Sequence, residues 1–168
     1  VFDNVNFDIK LALEKDGKFI EAPEDTCVSF ADAETFAAYF MMDDMPAIIS
    51  DEKEFRMIAV TSNGRSVSTI ISYCEPVAVN PTVIAAALPE VPVPGSLLSY
   101  SIPEGYFQDV YGNENNDFEA KNNFLYSYGF TAEDFIGTYS FSYTTYFGIT
   151  NLTEDVVVAP GEGDGEFK

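Results

Sequence analysis

The feature that most constrains this chain is a two-residue alternation of apolar and polar side chains, repeatedly interrupted by glycine-containing turn pairs. Val5, Phe7, Ile9, Leu11 and Leu13 alternate with Asn6, Asp8, Lys10 and Ala12. In an extended strand, that spacing puts one apolar row on one face. Asp16-Gly17 follows, and both central positions of a type I′ turn need positive φ, which Asp tolerates and Gly adopts freely. Lys18–Glu21 is then the return strand. Residues 55–61, the pair Asn63-Gly64 and the row Val67, Thr69, Ile71 and Tyr73 spell a second hairpin in the same way. Further alternations run through Leu98, Tyr100 and Ile102, through Tyr139, Phe141 and Tyr143, and over 156–159 before the turn-rich segment 160–165. A chain patterned this densely at period 2 is expected to be mainly β.

Three short connecting helices are expected between these strands. Residues 32–42 place Ala33, Phe36, Ala37, Phe40 and Met41 at helical spacing, with Ser29 and Asp32 as cap candidates. Asn80-Pro81 reads as an N-cap followed by proline at the first helical position, leading into 82–88. Thr131 and Asp134 resemble a capping box, Phe130 can staple onto Phe135, and Gly137 stops the turn. Segment 113–123 is crowded with Asn, Asp and Glu, a composition that favours loops. The expected organisation is a β-domain over 1–120, a linker over 121–131 and the start of a second β-domain over 132–168.

Charge then narrows the classes of partner. Among 168 residues, 8 Lys and Arg face 28 Asp and Glu, a net charge of −20. That field repels nucleic-acid backbones and anionic lipid surfaces, favours a monomer and attracts cations. There is no histidine, so the usual general base and the commonest metal ligand are both missing. No Gly-x-Ser-x-Gly elbow, Gly-x-x-x-x-Gly-Lys loop or Gly-x-Gly-x-x-Gly turn occurs. No apolar run reaches the roughly 20 residues that span a bilayer as a helix. A start at Val1 reads as a mature or trimmed form.

Residues 98–117 carry Tyr100, Ile102, Pro103, Gly105, Phe107, Asp109, Gly112 and Asn113 at the spacing of a known pattern. This segment resembles the C-terminal strands of bacterial Ig-like domains of the Big family. Residues 69–79 more loosely resemble that family's strand with a Glu-Pro-Val ending. Residues 133–141 look like the first strand of the C-terminal β-domains in surface lipoproteins of Bacteroidota, which often place an Ig-like module ahead of a lipocalin-like or barrel-like domain. The resemblance implies an Ig-like β-sandwich with short connecting helices, followed by part of a second antiparallel β-domain. It further implies a cell-surface lipoprotein, anchored to the outer membrane through a cysteine upstream of Val1. Its role would be that of an accessory subunit of an outer-membrane nutrient importer of the SusC/SusD type.

Four candidate features follow, each with a plain structural alternative. Tyr126, Tyr128, Tyr143 and Tyr146 with Phe147 form an aromatic platform for sugar rings or a protein partner, or else fill a core. Asp109, Asn113, Asn115 and Asp117 offer the hard oxygens calcium prefers without EF-hand spacing, or else build a solvated turn. Cys27 and Cys74 form a disulfide between β-segments, or else are two free thiols. The 28 acids could pair as in a small carboxylate hydrolase, although nothing selects one pair. The expectation is therefore a non-catalytic binding or accessory protein, with a glycan-binding module as the alternative.

Overall fold

The computed structural model describes residues 5–62, 64–128, 135–144 and 151–159. It divides into two compact units, Val1–Tyr128 and Gly129–Lys168. In the first unit, β1 (Ile9–Lys15) and β2 (Lys18–Glu21) form the expected hairpin. Lys15 pairs with Lys18 across a two-residue turn, with φ of 53° at Asp16 and 77° at Gly17. Both values are positive, as a type I′ turn requires. The second hairpin joins β6 (Arg56–Ser62) to β7 (Val67–Tyr73) over seven unbroken pairs, with Ser62 opposite Val67.

The other strands of this unit are β3 (Val28–Phe30), β4 (Ala37–Met42), β5 (Ile48–Ile49), β8 (Val77–Asn80), β9 (Val83–Ala87), β10 (Leu97–Ile102), β11 (Phe107–Gln108) and β12 (Phe118–Tyr126). They build two five-stranded sheets, ordered β2-β1-β4-β9-β8 and β3-β12-β10-β6-β7. In immunoglobulin lettering, β1-β4-β9-β8 are A-B-E-D, and β12-β10-β6-β7 are G-F-C-C′. The fold is an Ig-like β-sandwich, extended at one edge by β2 and at another by the parallel pairing of β3 with β12.

The core lies between the two sheets. Ile9, Leu11, Ala38, Phe40, Ile84 and Ala86 come from one sheet, and Met57, Ala59, Leu98, Tyr100, Ile102 and Phe124 from the other. The Phe40 ring meets Tyr100 edge-on at 5.3 Å and Phe118 at 5.8 Å, locking the layers with T-shaped contacts.

The expected helices at 32–42 and 82–88 are strands instead. Residues 36–42 are a short apolar run that fits either period, and β4 has a strand on each side in its sheet. It alternates between buried Ala38, Phe40, Met42 and half-buried Ala37, Tyr39, Met41. Short runs of that kind cannot be assigned by spacing alone. Asn80-Pro81 is the turn of the β8–β9 hairpin, where the Thr82 N–H donates to Asn80 Oδ1 at 3.0 Å, an Asx turn rather than a helix cap. Residues 129–134, most of the third expected helix, lie outside the described residues.

The Asn-rich segment expected to be loop, and the first half of the expected linker, contain β12. Its register with β10 shifts between Leu98 and Tyr100, and Asn122 has φ of 54°. The Asn122 N–H donates to Ser99 Oγ at 2.9 Å. The asparagines mark a β-bulge inside a strand, a place where left-handed φ is needed as much as in a loop. The second unit contains the antiparallel hairpin of β13 (Gly137–Thr144) and β14 (Asn151–Val158), as the alternation in both segments predicts.

Candidate binding surface

The candidate calcium loop joins β10 to β12 at one end of the sandwich. The β10 strand stops before Pro103, and Gly105 turns the chain at φ 76°. A Cβ there would meet Lys53 Nζ at 2.7 Å and Glu114 Oε2 at 3.0 Å. Asp109 is 3 % exposed and its carboxylate is engaged by the protein. Oδ1 accepts from the Tyr111 and Asn113 N–H groups at 2.8 and 2.9 Å, and Oδ2 accepts from Asn113 Nδ2 at 2.8 Å. Burial pushes the Asp109 carboxyl up, but the hydrogen bonds from Asn113, Tyr111 and Gly112 outweigh it and hold the group below its usual range.

Asn115 is fully buried and sits at the centre of the same loop. Its Oδ1 accepts from the Phe107 N–H at 2.7 Å, and its Nδ2 donates to the carbonyls of Pro103 and Asn116 at 3.0 and 2.8 Å. Asp117 is exposed, one residue before β12. These polar groups therefore serve as the internal frame of the loop. Among the described residues, no group of three or more His, Cys, Asp or Glu is placed to hold a metal ion.

Of the two arrangements open to Cys27 and Cys74, the structure has the free thiols and not the bridge. Cys27 immediately precedes β3 and Cys74 immediately follows β7, which are opposite edges of one five-stranded sheet. Four strand spacings separate those edges by about 19 Å, whereas a disulfide needs Cα atoms within about 7 Å. Cys27 is exposed, and burial pushes the Cys74 thiol up to about 12.

The tyrosines expected to form one platform are placed in different settings. Tyr126 is half-buried, stacked on Phe30 at 5.2 Å, and Phe30 stacks on Phe36 at 3.8 Å. Tyr128 is 65 % exposed and lies over Gly95, whose added Cβ would meet the Tyr128 hydroxyl at 3.2 Å. Tyr143 belongs to β13 in the other unit, its side chain outside the described residues, as are Tyr146 and Phe147 altogether. Beside the Phe30–Phe36 stack opens an apolar cleft of about 440 Å³, lined by Leu13, Val28, Phe30, Phe36, Tyr39 and Phe124 among others.

A larger feature is one that candidate-site reasoning missed: the outer face of the β3-β12-β10-β6-β7 sheet. The register lines up Leu125, Leu97, Val60 and Thr69 in one cross-strand row, then Ser99, Ile58 and Ile71, then Ser101, Arg56 and Tyr73. Leu125, Leu97, Val60 and Ile58 are half-buried, whereas Val67, Ile71 and Tyr73 are 68 %, 53 % and 54 % exposed. The sequence did carry a signal, since residues 57–60 are apolar at both parities. A strand so patterned is apolar on both faces.

Comparison with family models, curated proteins and solved structures finds no match to the chain. No helix among the described residues is long and apolar enough to cross a membrane, which does not bear on spanning by strands.

Proposed function

We propose that this chain is a non-catalytic protein-binding module of a cell-surface lipoprotein, docking through the outer face of the β3-β12-β10-β6-β7 sheet. The observation that carries this reading is the apolar patch made by Leu125, Leu97 and Val60 in one cross-strand row of β12, β10 and β6, with Ile58 and Ile71 paired beside it on β6 and β7. A contiguous apolar surface on a strongly acidic chain costs solubility unless a partner covers it. The partner proposed is a protein rather than a sugar, because Leu, Val and Ile present flat apolar area without the polar groups that a glycan requires. The setting implied by the resemblance to Big-family domains is that of an accessory subunit on an outer-membrane nutrient importer. A glycan-binding role for Tyr126 has weaker support, since that ring is packed into the stack with Phe30.

The test is affinity purification of tagged chain from its native membranes in mild detergent, alongside the variant Ile58→Lys/Leu97→Lys. Both substituted side chains point outward, so the sandwich core is untouched. The reading expects a stoichiometric outer-membrane protein with the native chain and its loss with the variant. Equal recovery with both would overturn the surface assignment, and recovery of the chain alone would overturn the accessory role.

A further inference from the structure

Four strands terminate the two large sheets, and three of them are protected against further pairing. The β3 edge has only three residues, β2 has four with Lys18 and Glu21 at its ends, and β8 has four interrupted by a register shift. Short length, charge and bulges are the usual devices that stop a sheet edge from recruiting another strand. The fourth edge, β7, has none of them. It runs seven residues, Val67-Ser-Thr-Ile-Ile-Ser-Tyr73, without a charge, a proline, a glycine or a break in register. Four of its seven residues are β-branched apolar or Thr at adjacent or alternate positions, and Val67, Ile71 and Tyr73 are more than half exposed.

We propose that β7 pairs antiparallel with β7 of a second copy of this chain, across a two-fold axis at Ile70. The strand is self-complementary in that register. Val67 falls opposite Tyr73 of the second copy and Thr69 opposite Ile71, and all four lie on the outer face. Aromatic and β-branched side chains are favourable cross-strand partners. Arg65, in the β6–β7 loop just before the strand, and Glu75, just after it, come to neighbouring ends of the paired strands, a basic group near an acidic one twice by symmetry. No acidic residue intervenes between positions 65 and 75. The net charge of −20 is carried elsewhere, and at physiological ionic strength it is screened beyond about 8 Å. An isologous contact of this kind uses one edge on both copies and closes as a dimer instead of growing into a fibre. It also merges the two outer faces into one continuous apolar surface, which goes beyond a single docking face.

Sedimentation equilibrium of the full chain tests the pairing. A monomer of 18.5 kDa should give way to twice that mass as concentration rises. Thr69→Lys/Ile71→Lys sets lysines against one another across the axis and should leave a monomer with an unchanged far-UV spectrum. Arg65→Glu alone and Glu75→Arg alone should each weaken the dimer about tenfold, and combining the two should restore it. A chain that stays monomeric throughout would overturn the proposal. So would a dimer that survives the lysine pair, or a charge exchange that fails to restore association.

Discussion

Replacing Asn115 by alanine should destabilise the sandwich by about 2–4 kcal/mol, and the size of the loss follows from where its three hydrogen bonds go. The Phe107 N–H, inside a fully buried residue, has Asn115 Oδ1 as its partner at 2.7 Å. Orphaning a buried donor costs about 1–3 kcal/mol. The Pro103 carbonyl fares better, because it also accepts from the Tyr106 N–H at 3.2 Å. Asn116 is half-buried, so its carbonyl can turn to water. One full penalty and two partial ones give the range stated. Urea unfolding followed by far-UV circular dichroism reads it as a drop in midpoint at constant slope. Asn115→Asp sharpens the test. It keeps the acceptor for Phe107 but turns an oxygen toward two carbonyls, so the carboxyl is raised in the folded state. Its deficit should be smallest below the unfolded value near 3.9 and grow as pH rises through the folded value. A loss for Asn115→Ala below about 0.5 kcal/mol, within the range of an ordinary surface substitution, would show that the Asn115 hydrogen bonds do not hold the loop.

Other outcomes follow from the same geometry. Gly105→Ala should cost about 1–2 kcal/mol from its φ of 76°, with a further loss if Lys53 and Glu114 cannot withdraw from the added Cβ; thermal melting measures it. With a disulfide-exchange chromophore, Cys27 should react at once and Cys74 only on unfolding, because one is exposed and the other is a buried thiol pushed up to about 12. Asp109 is held below its usual value of 3.8, so its carboxylate stabilises the fold above that pH and loses the effect as pH falls through the lowered folded value. The stability gap between native chain and Asp109→Asn should therefore be widest at neutral pH and close on the acid side, as paired acid titrations would record.

Much of the fold was legible because period-2 alternation and the Asp16-Gly17 turn act locally. Leu98, Tyr100 and Ile102 are each buried at 1 % exposure or less, as their spacing predicts. The two mistaken helices share a physical cause. Segments 37–42 and 83–87 are apolar at every position, the less buried Ala37, Tyr39, Met41, Ala85 and Ala87 included, and that continuous apolar character erased the alternation that would have distinguished them. The bulge at Asn122 was hidden for a related reason, since asparagine serves loops and bulges through the same left-handed φ. The choice between a disulfide and two free thiols stayed open in the sequence, because local strand character says nothing about which edge of a sheet a strand occupies. The loop polar residues were found but their role was misjudged, because composition cannot distinguish oxygens aimed at solvent from those already accepting backbone N–H groups.

The proposed docking confines the partner to one face of one sheet and to no other part of the sandwich. Site-specific photo-crosslinking in native cells tests it most directly, with the probe at Ile58 or Leu97 on the proposed face and at Glu21 or Val79 on the opposite sheet. Docking through that face should give adducts to a single protein distinct from this chain from the first two positions and none from the other two. Adducts from Glu21 or Val79 alone, or equally from all four positions, would contradict it.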